Sequence, residues 1–233
     1  MSRRNKLAKF AEIAAMPNVY ENFSVQEPRL MSTPDTEVHL VGKWGETHFG
    51  NDRPITLELA CGRGEYTVGL AKHFRDRNFI GVDIKGARIW KGAKQAEAAN
   101  LDNAAFLRTR IECLDTFFAP GEIDEIWITF PDPFPRYGQV NRRLTAPIFF
   151  DLYKRLIRPG GKLHLKTDNT ALFLYSLEVA IADEDISIDM LSDNVDALSE
   201  KLPELSIPTF YERLHRGEGA LIKYLRMTYV NPE

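Results

Sequence analysis

Asp132 stands between two prolines in Phe130-Pro131-Asp132-Pro133-Phe134-Pro135-Arg136, and Asn141-Arg142-Arg143 follows shortly after. Each proline fixes its own φ and restricts the residue before it, so the carboxylate is aimed by covalent geometry before any tertiary contact forms. The stretch comes directly after Ile126-Trp127-Ile128-Thr129, which reads as a buried strand. Asp132 is therefore expected in a loop at the carboxyl end of a strand, where open α/β sheets bind ligands. Preorganised charge in such a loop suits catalysis by electrostatic stabilisation. The plain alternative is a proline-rich turn with Asp132 as an ordinary turn acid and the arginines solvated.

A second constellation is Glu58-Leu59-Ala60-Cys61-Gly62-Arg63-Gly64, placed after the apolar run Ile55-Thr56-Leu57-Glu58-Leu59 and before a helical stretch from Glu65. Its small residues allow a tight turn and close backbone approach to a nucleotide-like ligand. The dinucleotide pattern G-x-G-x-x-G is not met: Ala60 replaces the first glycine, and the third falls beyond Glu65-Tyr66-Thr67-Val68 at Gly69. Glu58 would repel a pyrophosphate but attract the sulfonium and α-ammonium of S-adenosylmethionine. Asp83 ends the next apolar run, Asn78-Phe79-Ile80-Gly81-Val82, where an acid can accept both hydrogen bonds of a ribose diol. Arg110, just past a third run, stands where an adenine edge would be met, or is a surface residue. Read separately, the glycines are a helix-entry turn and Asp83 an N-cap.

The elements that must position these residues alternate. Short apolar strands are expected at 55–59, 78–82, 104–107, 126–130 and 162–166, with helices from Glu65 to Phe74, Gly86 to Ala99 and Pro147 to Ile157, and a separate helix after Thr167-Asp168-Asn169 to about Ala182. A strand near 186–191 and a final alternating stretch within 220–230, antiparallel to its neighbours, complete a doubly wound, mostly parallel seven-stranded sheet. A mixed lead-in, residues 1–50, precedes this body of residues 51–233. It opens with Arg3, Arg4, Lys6 and Lys9 on an amphipathic helical pattern through Ala15, either an RNA-contacting arm or a packing helix.

The net charge of −3 over 233 residues gives no global signal for nucleic acid, so any basic surface is local. Cys61 and Cys113 are too few for a disulfide framework and wrongly spaced for a zinc site, which suits a reducing compartment. No His, Cys or acid cluster calls for a metal. No apolar run approaches spanning length, so a cytoplasmic, membrane-free protein is expected, as monomer or homodimer.

With both constellations assembled, the chain resembles the bacterial tRNA (guanine-N7-)-methyltransferase family from about residue 50 onward. The likeness is carried by Leu57 to Gly64, Phe79 to Ile84, Phe130 to Phe134 with Asn141-Arg142-Arg143, Thr167-Asp168, and Thr209-Phe210-Tyr211-Glu212. It implies a class I S-adenosylmethionine-dependent fold and a reaction at N7 of a guanine in the tRNA variable loop. It further implies Asp132 as the catalytic acid lying beside the methyl donor. Donor contacts are implied at Glu58, Gly62, Gly64, Asp83, Ile84 and Arg110, and substrate contacts at Arg136, Asp168, Thr209, Phe210, Tyr211 and Glu212. The chain departs from the family pattern at Phe134, usually tryptophan, Arg136, commonly lysine, Asp83, commonly glutamate, and Arg110, usually an acid or amide.

Guanine N7 carries a lone pair and no proton, so methyl transfer to it needs alignment and charge rather than a base. Asp132 would stabilise the positive charge the purine acquires and accept hydrogen bonds from N1–H and the exocyclic amine, which adenine cannot offer. Phosphate contacts to tRNA are expected from Arg142, Arg143, Lys166 and the N-terminal cations. Phe134 or Tyr211 reads equally as a base-stacking or a core residue. Rival readings are an amino-group methyltransferase on DNA or protein, weakened because Asp132 is not followed by two prolines, and a non-catalytic RNA-binding module. A nicotinamide dehydrogenase is disfavoured by Glu58 and Ala60 together.

Overall fold

The computed structural model describes residues 3–230, which fall into two compact units divided between Ala119 and Pro120. The first contains, in chain order, α1 (Arg3–Ile13), β1 (Val19–Glu21), β2 (Met31–Thr33), β3 (Thr36–Glu37), β4 (Ile55–Leu59), α2 (Glu65–His73), β5 (Asn78–Asp83), α3 (Gly86–Ala98) and β6 (Ala104–Arg108). β4, β5 and β6 are parallel neighbours, and β4 and β5 are buried at every position. Their near-continuous apolar sequences follow from that, because a parallel strand is covered on both faces.

The end of α2 is fastened by one side chain. Asn103 is buried, and its Nδ2 donates to the carbonyls of Ala71 at 3.1 Å, Phe74 at 3.0 Å and Arg77 at 3.0 Å. Arg75 donates to its Oδ1 at 3.1 Å. These are orphan carbonyls at and beyond a helix end, which must be paired if they are not to face apolar core.

The lead-in is built into this unit. β1 pairs in parallel with β6 and antiparallel with β2, so residues 19–37 extend the sheet. α1 packs against α3: Glu12 takes the Trp90 indole N–H at 2.8 Å and the Lys94 ammonium at 2.7 Å, and Lys9 lies 4.1 Å over the Trp90 ring. The side chains of Arg3, Arg4 and Lys6 lie outside the described residues.

The second unit contains β7 (Ile123–Thr129), α4 (Pro147–Leu156), β8 (Ile157–Thr167), α5 (Thr170–Ala182), β9 (Ile186–Ser192), α6 (Phe210–Gly217) and β10 (Lys223–Tyr229). β7 and β8 are parallel, while β10 lies antiparallel between β8 and β9, as the alternation of the last strand led us to expect. The seven expected strands are β4 to β10, and β1 to β3 are additional. Register is pinned by a buried polar group: His164 contacts Glu125 Oε1 at 2.8 Å and the Tyr224 hydroxyl at 2.7 Å, and its ring stacks on Trp127. Among the described residues no helix is long and apolar enough to cross a membrane.

Replacing Asn103 by alanine strands three buried or half-buried carbonyls together. The expected loss is about 2 kcal/mol or more of unfolding free energy, read by denaturant titration.

Candidate active site

Two strand ends of the first unit build one cradle. At the end of β4 the backbone turns through Ala60 (φ 55°), Gly62 (φ 57°) and Gly64 (φ 65°) before α2 begins. The two glycines serve different needs. A Cβ on Gly64 would meet Phe106 at 2.5 Å and Gly92 at 3.0 Å, so Gly64 is required by packing, whereas at Gly62 nothing lies nearer than the Ala60 carbonyl at 3.9 Å. Gly62 is the position open to a ligand.

Asp83 faces that turn from the end of β5. Its Oδ2 accepts the Gly62 amide at 2.9 Å and its Oδ1 the Lys85 amide at 2.7 Å, which ties the two strand-end loops together. Burial raises its pKa, and the two amide hydrogen bonds oppose that shift. Each carboxylate oxygen carries two acceptor sites, so one remains on each for a vicinal diol. This pair of acceptor sites fits the ribose diol of S-adenosylmethionine. Ile84 beside it is 54 % exposed, an apolar surface at the same strand end.

Glu58 is buried and turned toward α2, accepting both the backbone N–H, at 2.8 Å, and the hydroxyl of Thr67. It therefore also anchors the first turn of the helix behind the cradle. Arg110, at the end of β6, forms a half-exposed ion pair with Glu112 at 2.8 Å.

In the second unit Asp132 is exposed, in the loop after β7. Among the described residues none makes a hydrogen bond or ion pair to its carboxylate. The backbone on either side is strained: Phe130 has φ 48° and Phe134 φ 41°, a left-handed conformation that aromatic residues adopt only when the surroundings impose it. One such constraint is Arg143. Sequence reasoning assigned it to phosphate contact, but it is buried, donating from Nε to the Pro133 carbonyl at 3.0 Å and from an Nη to the Phe134 carbonyl at 3.2 Å. Its guanidinium also lies 4.4 Å from the Tyr175 ring. Prolines carry no N–H with which to organise their own loop, so its carbonyls are held from outside.

Arg136 and Arg142 are exposed, the latter with its guanidinium 4.6 Å over the Phe134 ring. Tyr137, passed over in the sequence, is 96 % exposed; an aromatic next to Arg136 was the signal available.

Asp168 follows β8. It is not the N-cap of α5, because Asn169 takes that role through the Leu172 amide at 2.8 Å. The Asp168 carboxylate lies 3.8 Å from His215 Nδ1, and the His215 ring lies near-parallel to those of Phe130 and Tyr211, at 6.4 Å from each. The structure thus brings Asp168, Tyr211 and the Asp132 loop together around His215. Thr209 caps α6 by accepting the Glu212 amide at 3.0 Å, and Phe210 and Tyr211 are exposed. Glu212 is buried and paired with Lys166 at 2.7 Å and Arg216 at 3.0 Å. Lys166, expected at a phosphate, is itself fully buried, because its strand is covered on both faces. Among the described residues no group of three or more His, Cys, Asp or Glu side chains could hold a metal ion.

Arg143→Lys keeps the charge but not the fork that spans two carbonyls. It is expected to lower turnover by roughly tenfold to a hundredfold through misplacement of Asp132 while leaving donor affinity unchanged, measured by steady-state kinetics beside donor titration.

Comparison with known proteins fits this construction. A family model described as "Putative methyltransferase" matches residues 52–224. The chain is 43% identical over 231 residues to a tRNA (guanine-N(7)-)-methyltransferase of Bacteroides thetaiotaomicron, covering 96% of this chain and 85% of that one. It is 42% identical to the enzyme of that name from Christiangramia forsetii, covering 97% and 98%. Among solved structures, the 16S rRNA methyltransferase KamB superposes with a TM-score of 0.62 at 16% identity, covering 84% of this chain and 96% of that one. The antibiotic-resistance methyltransferase Kmr gives 0.59 at 17%, covering 84% and 96%. The fold is therefore that of the S-adenosylmethionine-dependent methyltransferases, and the chain belongs to the tRNA (guanine-N7-)-methyltransferase family.

Proposed function

We propose that this protein transfers the methyl group of S-adenosylmethionine to N7 of a guanine in the variable loop of tRNA, with Asp132 as the catalytic acid. The observation that carries this reading is an exposed carboxylate, without a partner among the described residues, in a loop fixed by two prolines, two left-handed aromatic residues and the Arg143 fork. The relatives named for this activity, at 42% and 43% identity over most of the chain, support it.

The methyl donor supplies an electrophilic carbon on a sulfonium. Asp83 and the open Gly62 turn hold its ribose, Ile84 offers an apolar face, and Glu58 and the neighbourhood of Arg110 contribute charge and edge contacts. Asp132 accepts N1–H and the exocyclic amine of guanine, and stabilises the positive charge that grows on the purine as N7 is alkylated. No proton leaves N7, so no base is required.

Arg136, Tyr137 and Arg142 form the exposed rim of the Asp132 loop. They serve phosphate contact and stacking on nucleotides near the target, with Asp168 and the start of α6 as further substrate contacts. The N-terminal cations of the 1–50 lead-in serve as further phosphate contacts. The setting is the cytoplasm, with tRNA as partner and no membrane.

Incubating unmodified tRNA with methyl-labelled S-adenosylmethionine tests the reading, with the product nucleoside identified and mapped. Formation of 7-methylguanosine in the variable loop is expected. Asp132→Ala should lower kcat/KM by roughly 100- to 1,000-fold. Another methylated nucleoside, or equal turnover by the variant, would refute the assignment. Asp83→Ala is expected to weaken donor binding by about tenfold or more through its lost hydrogen bonds, read by calorimetry.

A further inference from the structure

Lys166 is a fully buried cation near the end of β8, and it contacts two parts of the second unit at once. Its carbonyl accepts the Phe130 amide at 2.8 Å, at the base of the Asp132 loop. Its ammonium donates to the carbonyls of Leu205 at 2.8 Å and Ile207 at 3.3 Å and pairs with Glu212 at 2.7 Å. Those partners are the segment leading into α6 and the first turn of α6 itself. Arg216 holds the other Glu212 oxygen at 3.0 Å and grips Asp196 through two contacts at 2.8 and 2.9 Å.

Stability gives a poor reason for such a residue. Burial pushes the ammonium pKa down, with Glu212 opposing, and a buried ion pair is often matched or bettered by apolar side chains of the same volume. What the ammonium does supply is direction: three acceptors from residues 205–212 converge on one point. α6 then presents Tyr211 and His215, and His215 lies against both Phe130 and Asp168.

We propose that Lys166 is a positioning residue of the methyl-transfer reaction, fixing α6 and its Tyr211–His215 face against the Asp132 loop so that substrate meets both in one geometry. The proposal rests on the assignment of Asp132 and α6 to the tRNA substrate.

Lys166→Met removes the ammonium at similar length, and His164→Gln serves as control. His164 is buried on the same strand but contacts Glu125 and Tyr224 rather than residues 205–212. Turnover is measured per donor-binding site, so that unfolded protein does not count. The expected result is a fall of about fiftyfold or more in kcat for Lys166→Met at unchanged donor affinity. His164→Gln is expected to lower the melting temperature and keep its kcat. A kcat for Lys166→Met within about threefold of wild type would overturn the proposal, since a misplacement that costs catalysis is larger than that. If Lys166→Met binds no donor, Lys166→Gln replaces it under the same criteria.

Hydrogen exchange decides the positioning claim separately. Faster exchange in both 130–135 and 205–212 for the Lys166 variant, but not for His164→Gln, supports it, and unchanged exchange refutes it. Absence of 7-methylguanosine from the wild type would instead sink the functional assignment while leaving the exchange result to stand by itself.

Discussion

An exposed carboxylate in water has no reason to keep one direction, and the loop that carries Asp132 is constrained through its backbone. Side-chain pairing, the usual means of fixing an acid, would neutralise the charge that the proposed role of Asp132 needs. The constraint is therefore placed on the backbone: prolines on both sides of Asp132, left-handed φ at Phe130 and Phe134, and an arginine fork on the carbonyls of Pro133 and Phe134. Among the described residues the carboxylate itself has no hydrogen-bond or ion-pair partner. Strain of this kind persists only where the surroundings over-determine the conformation, and Arg143, Lys166 and His215 are those surroundings.

The first unit solves the opposite problem. In the proposed role Asp83 holds a neutral diol, for which its carboxylate can be buried and bound by two amides without losing its use. The same two hydrogen bonds join the ends of β4 and β5, which means the cradle and the sheet are stabilised by one group. Glu58, proposed as a second donor contact, also fastens the first turn of α2 through Thr67. Where a donor-holding residue also fastens a helix, its replacement will affect folding and binding together.

Much of this could be read from the chain. β4 to β10 were legible because strands covered on both faces carry continuous apolar runs, and the antiparallel β10 because it alternates. The Asp132 loop and the Gly62 turn were legible because proline and glycine state their backbone requirements in their names. Arg143 and Lys166 were misread, since a basic residue near a motif looks the same in sequence whether it meets phosphate or buried carbonyls. His215 was hidden because its partners, Phe130 and Asp168, are distant in the chain. Asn169 rather than its neighbour Asp168 caps α5, a difference set by loop geometry that no composition rule reports. The lead-in gave no strand signal, because β1 to β3 are two or three residues long and borrow their order from β6.

The contact between Asp132 and the guanine is tested most directly by a cycle of one protein change and one base change. Single-turnover methylation is measured for wild type and Asp132→Asn, each with tRNA carrying guanine or inosine at the target, since inosine lacks the exocyclic amine. If Asp132 accepts a hydrogen bond from that amine, inosine slows the wild type by about tenfold or more but slows the variant far less. Equal penalties in both proteins would contradict the assignment of Asp132 to the guanine edge.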